Sequence, residues 1–251
     1  MNLAAITLIR SPISPYVRKV LTACAIKGVE VAVDPITPLL GDDDFGDLSP
    51  LRRIPVWIEG DLTLCDSSVI IQYLEETRPG PSLWPADPAD RARARWLEEY
   101  GDTRVFDVLG WKLFFQIALK PRFFGSPPDA AMVERAREVE LPEVLDYLES
   151  LTPENDFLFG GPTMADFSVT VAFTNARGIG ITIDATRWPR FAALLERVDA
   201  QTPLGPLNSL ARRMMKTPLE NHRDLMAEFG MPATSRTWMG AEVRRGPLTP
   251  A

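Results

Sequence analysis

The chain has 251 residues, of which 45% are hydrophobic, with a formal net charge of -7, two cysteines and one histidine. That length suits one large core or two modest ones, and the composition argues against a disordered or fibrous chain. The acidic balance provides no general field for nucleic acid or anionic lipid, so any anion site must be local.

Cys24 and Cys65 stand far apart, in neither a Cys-x-x-Cys nor a zinc-ligand spacing, and His222 is the sole histidine. A disulfide framework, a structural zinc, a multi-histidine metal centre and a histidine-based triad are all poor fits. The default setting is a reducing cytoplasm. Chemistry must then come from hydroxyls, arginines, carboxylates and backbone.

Residues 3–9 read as a buried strand, too short and too soon ended by Arg10 and Ser11 to span a membrane or act as a secretion signal. Ser14-Pro15 supplies an N-cap followed by proline at the first helical position, and Gly28 supplies the stop. Between them Val17, Val20, Leu21 and Cys24 recur at the spacing of a buried face, with Arg18, Lys19 and Lys27 expected off it. A second strand is expected over 30–36, then an exposed, mobile acidic loop around Asp42, Asp43 and Asp44.

Residues 54–58 and 62–65 flank Gly60-Asp61 and predict an antiparallel hairpin. Asp66 or Ser67 then caps a helix whose Ile70, Tyr73 and Leu74 share a face. The element string, β-α-β, loop, β-β-α, is the thioredoxin-like arrangement. The proline-rich stretch from Pro79 to Pro88 predicts an interdomain linker with the boundary near residue 80.

Beyond it the strand signals vanish, and helical patterns run over 91–119, 130–151, 164–176 and 188–200. Thr163-Met-Ala-Asp166 reads as a capping box with aspartate in the glutamate position, a feature of helix initiation. Two shorter helical patterns, 207–216 and 219–229, lie within a mixed tail. The expected organisation is therefore 1–80 thioredoxin-like, 89–204 all-helical, and 205–251 a C-terminal extension.

Three segments carry a resemblance: Ser11-Pro-Ile-Ser-Pro-Tyr-Val-Arg-Lys-Val20, Leu48-Ser-Pro-Leu-Arg-Arg-Ile-Pro-Val56, and Leu64-Cys-Asp-Ser-Ser-Val-Ile-Ile-Gln-Tyr-Leu74. Together they resemble the glutathione S-transferases, in the bacterial theta/zeta/beta-like, serine-type portion of the family, across roughly residues 3–200. The resemblance implies glutathione as co-substrate, no metal, a homodimer and a cytoplasmic enzyme that attacks a small hydrophobic electrophile. Conjugation is the generic reaction; glutathione-dependent isomerisation or reduction, and a non-catalytic binding or scaffold role on the same fold, are the alternatives.

The resemblance implies Ser14 as the hydroxyl facing the glutathione sulfur, with Ser11 as the second candidate and Tyr16 nearby. It implies a cis bond before Pro55, Ile54 pairing with the cysteinyl backbone, Arg53 on the glycyl carboxylate with Arg52 assisting, and Asp66 with Ser67 at the γ-glutamyl end. Arg52 replaces a common family glycine, and Asp66 replaces a common glutamate. The activating loop has no cysteine, which argues against cysteine-based exchange. Tyr100, Arg104 and Trp111 lie where the family lines its second-substrate pocket.

Overall fold

The computed structural model describes residues 6–250. The chain divides into two compact units: the residues up to Pro81 together with those from Ser209 onward, and Ser82–Asn208. The expected strand over 3–9 is described from residue 6, and its beginning lies outside the described residues.

In the first unit a four-stranded sheet runs in the order β2-β1-β3-β4, with β1 Thr7–Arg10, β2 Ala32–Pro35, β3 Val56–Glu59 and β4 Leu62–Cys65. β1 pairs parallel with β2 and antiparallel with β3, and β3 pairs antiparallel with β4. Leu8, Ile9, Val56 and Trp57 on the central strands are fully buried. Helices α1 Pro15–Lys27 and α3 Ser67–Thr77 pack against one another.

α1 begins on Pro15, with Ser14 at the N-cap, and ends on Gly28 at φ 64°, a left-handed conformation that glycine adopts without steric cost. Its cations do not lie off the buried face as their spacing predicts. Arg18 and Lys19 are fully buried, and Lys27 is buried with its ammonium 2.8 Å from Glu75. Long stems allow such residues to lie along apolar surface while the charge finds partners. Nor is the acidic stretch a plain loop: Asp42 accepts a hydrogen bond from Phe45 N at 2.8 Å and starts the short helix α2 Asp43–Leu48.

The second unit is helical. α4 Pro88–Tyr100 continues through π-helical turns Gly101–Val105 and Asp107–Leu119 into α5 Lys120–Phe124. A Cβ at Gly101 would sit 2.6 Å from the Ser168 carbonyl oxygen, so glycine allows the close approach to α8 Met164–Thr170 there. α6 Ala130–Arg135 and α7 Leu141–Leu151 follow, and beyond α8 come α9 Phe173–Gly178 and α10 Pro189–Gln201. The capping box is present: Asp166 accepts from Thr163 N and Leu158 N, both at 2.9 Å, and from Thr163 Oγ1 at 3.0 Å.

α11 Leu204–Met214 leads into the last segment, which contains α12 His222–Glu228. Leu210, Met214, Leu225 and Met226 form a buried cluster with Val33 of β2, and Ile13, Phe229 and Met231 pack against it. The buried His222 ring places Nε2 3.1 Å from the carbonyl oxygens of both Met214 and Thr217, a connection between helices. The C-terminal segment is thus part of the first unit.

Candidate functional site

The sheet register gathers the three motif segments. Ile9 pairs with Val56, and Val56 pairs with Cys65. The chain leaving β1 through Ser11, the chain entering β3 through Ile54-Pro55, and the chain leaving β4 through Asp66 therefore share one end of the sheet. Adjacent strands lie about 4.8 Å apart, so the outer two of these positions are separated by about 10 Å, comparable with an extended tripeptide.

Ser14 occupies the N-cap position of α1, yet its hydroxyl makes no capping hydrogen bond. Elsewhere Asp42, Asp66, Asp87 and Asp129 each accept backbone N–H groups at the starts of their helices. The first turn of α1 carries no acidic residue to offset its positive end. Ser14 is half-buried, whereas Ser11 is 5% exposed and directs its carbonyl to Ser14 N at 2.9 Å. Tyr16, half-buried, follows in the first turn.

Arg18, which the sequence motifs did not single out, also belongs to this end of the sheet. Its Nη1 donates to the carbonyl oxygens of Pro12 at 2.7 Å and Ile13 at 2.9 Å, holding the turn that ends in Ser14. Its place four residues after Ser14, one turn along α1, is the only signal the sequence offered.

The Ile54–Pro55 peptide bond is cis, and both residues are buried. The backbone of half-buried Arg53 is bracketed by Ser49, whose Oγ accepts from Arg53 N at 3.0 Å and donates to Arg53 O at 2.9 Å. Arg52 is committed to the protein itself. Its Nη2 donates to the carbonyl oxygens of Gly41 and Asp42, and its guanidinium lies 5.7 Å from the centre of the Phe45 ring.

Asp66 is exposed and caps α3, accepting from Ser68 N at 2.9 Å and Val69 N at 3.2 Å, while Ser67 is buried. Arg52 at φ 50° and Asp66 at φ 136° are the non-glycine residues with positive φ among those described. Both stand beside this end of the sheet, and backbone conformations of that cost gather at ligand-binding sites.

In the second unit, Arg104 is held by carboxylates: Nη1 donates to Glu140 at 2.8 Å and Nη2 to Glu143 at 3.2 Å. Lys112 joins the group, 2.6 Å from Asp107 and 2.7 Å from Glu140. Tyr100 packs its ring 4.6 Å from that of Tyr147, and Trp111 sets its ring edge-on to Phe106 and Phe115. Tyr100 and Arg104 thus face α7, and Trp111 belongs to an aromatic group of its own. Burial pushes the Tyr100 hydroxyl up, opposed by the Arg104 charge.

Among the described residues no cluster of three or more histidine, cysteine or acidic side chains could hold a metal, and no helix is long and apolar enough to cross a membrane. The arrangement is a thioredoxin-like domain with a helix N-terminus and hydroxyl at one sheet end, joined to an all-helical domain. Residues 8–82 match the glutathione S-transferase N-terminal domain family. The chain is 32% identical over 183 residues to glutathione S-transferase 3 of Zea mays, spanning 70% of this chain and 81% of the maize protein.

It is also 32% identical over 169 residues to FtsZ-localized protein A of Caulobacter vibrioides, spanning 64% of this chain and 73% of that one. A solved glutathione S-transferase from Methylobacterium radiotolerans, in complex with glutathione sulfonate, superposes with a TM-score of 0.66 at 26% identity. The match covers 80% of this chain and 92% of that one. The chain belongs to the glutathione S-transferase family.

Proposed function

We propose that the protein is a glutathione transferase that holds the glutathione thiol as a thiolate against Ser14 and presents it to a small hydrophobic electrophile. The observation that carries this reading is the Ser14 hydroxyl, which stands at the N-cap of α1 and caps nothing. A free thiol has a pKa near 8.5, and lowering it by about two units takes about 2.7 kcal/mol. One charge-assisted hydrogen bond and an unopposed helix N-terminus supply that amount.

In this reading Ile54 offers its backbone to the cysteinyl residue, Arg53 pairs with the glycyl carboxylate, and Ser67 with Asp66 receives the γ-glutamyl end. Arg52 shapes the loop from within. Ser11 braces Ser14 through its carbonyl, and Tyr16 borders the thiol. Tyr100, Arg104 and Trp111, proposed to meet the electrophile, all lie in the helical unit. A cytoplasmic homodimer is part of the proposal; the two free cysteines suit a reducing compartment.

A spectroscopic titration of bound glutathione tests the common step. The thiol should ionise below its free value in the natural protein and near that value in Ser14→Ala. An unshifted thiol in the natural protein would refute the mechanism.

A second reading, a non-catalytic binding or scaffold protein, is favoured by the commitment of Arg52 to the Gly41 and Asp42 carbonyls and by the likeness to FtsZ-localized protein A. Glutathione-resin retention together with turnover of an aryl halide decides for the enzyme; retention with no turnover across an electrophile panel decides for the scaffold.

A further inference from the structure

The tail after α12 returns to the sheet end that carries the site. The register Arg10↔Pro35 brings the C-terminal end of β2, and the chain that follows it, to that same end. Val33 N donates to Pro232 O at 2.8 Å and Thr234 N to Val33 O at 2.7 Å, so residue 233 bridges to the open edge of β2. The tail then runs beside residues 39–42: Asp42 N donates to Trp238 O at 2.9 Å, Gly240 N to Leu40 O at 2.6 Å, and Arg244 N to Leu39 O at 2.7 Å.

Asp34, fully buried, anchors this path. It accepts from Arg223 Nη2 at 2.9 Å and from Trp238 N at 2.7 Å. The acidic residues at the start of α2 are also met from the tail, Asp44 by Arg236 and Asp43 by Arg244. These exposed pairs are individually weak, so the backbone bonds and buried Asp34 do most of the holding. Finally, a Cβ on Gly246 would lie 2.6 Å from Leu51 O and 3.1 Å from Arg52 Cβ. Arg52 itself binds Gly41 and Asp42, so the tail, residues 39–42 and residues 51–52 form one connected layer directly before Arg53-Ile54.

We propose that residues 232–246 are a positioning element for the glycyl half of the glutathione site, fixing the backbone that presents Arg53 and Ile54. This rests on the glutathione reading above and extends it. The Ser14 half is held by Arg18 and by Ile13 against the cluster of Leu210, Leu225 and Met226, all outside residues 232–246, so disturbing the tail should weaken glutathione binding without altering thiol ionisation.

The test uses the full chain with Gly246→Val, which wedges the tail from Leu51 and Arg52, and Trp238→Ala, which removes the tail's buried indole while keeping its backbone bond to Asp34. Calorimetry should show glutathione affinity falling about tenfold, a loss of about 1.4 kcal/mol, with KM for glutathione rising in step. The pKa of the bound thiol and kcat at saturating glutathione should stay as in the natural protein. Hydrogen exchange at the Asp42, Gly240 and Arg244 amides should confirm that the tail has loosened. Unchanged affinity in both variants overturns the role of the tail, as does a shift in the bound thiol's pKa. Absence of glutathione uptake by the unaltered chain overturns the underlying reading as well.

Discussion

Arg18 and Pro12 are joined by a 2.7 Å hydrogen bond from a fully buried guanidinium to a loop carbonyl. The same nitrogen also reaches Ile13, so the turn before Ser14 is held from inside α1. Arg18→Met keeps much of the volume and removes both bonds, leaving two carbonyls without their donor. Bonds to a charged group contribute about 1.5–3 kcal/mol each, so urea unfolding should show a loss of about 3 kcal/mol or more. Arg18→Lys should recover part of it, and the bound thiol should ionise at higher pH in the methionine variant.

Asp66 combines a structural and a proposed binding duty, and two substitutions separate them. Asp66→Asn keeps a good cap for Ser68 N and Val69 N, so stability should stay within about 0.5 kcal/mol, whereas Asp66→Ala should lose about 1 kcal/mol. If the charge meets the γ-glutamyl ammonium, both should weaken glutathione binding by about tenfold, the scale of one charge-assisted bond. Full affinity in Asp66→Asn would leave this residue as a cap alone.

The Lys112 hydrogen bond, then that of Arg104, holds the Glu140 carboxyl below its ordinary range, against the opposing effect of burial. Because the folded value lies below the unfolded one, this stabilisation is present above the unfolded pKa of about 4.3 and is lost as pH falls through the folded value. Melting temperatures measured from pH 7 to pH 3 should therefore fall less steeply on the acid side in Glu140→Gln than in the natural protein. The substitution should cost stability at pH 7, where Arg104 and Lys112 lose a charged partner.

Burial pushes the Cys24 thiol up to about 12, with Arg10 opposing that shift. Cys65 is exposed, though burial raises its thiol too, and its Sγ lies 2.9 Å from the Leu48 carbonyl oxygen. A thiol reagent at pH 8 should modify one cysteine per native chain, slowly, and two after denaturation, since the thiolate is the reacting form. Peptide mapping should place the native label on Cys65; rapid labelling of Cys24 would contradict its burial.

What sequence alone determined was written in local signals. Ser14-Pro15 and Gly28 delimit α1, Gly60-Asp61 turns the hairpin, Asp66 opens α3, and Thr163 with Asp166 opens α8. In each case the chemistry lies within a few residues of chain, where backbone geometry and capping act irrespective of the rest of the molecule. The thioredoxin-like order and the helical second part followed from such signals, as did the family resemblance.

Tertiary structure decided whatever depended on partners far along the chain. Periodicity set Arg18, Lys19 and Lys27 off the buried face, but burial is decided by what packs on a helix, and all three are inside. Arg236 and Arg244, which meet the acidic stretch at Asp44 and Asp43, lie far beyond any local window. Asp34, inside the strand expected over 30–36, meets its partners Arg223 and Trp238 only in the folded chain. Arg52 could be judged only once Gly41 and Asp42 were beside it. Hydrogen bonds and ion pairs between distant segments form only after the chain has paid its conformational entropy, so no spacing along the sequence records them.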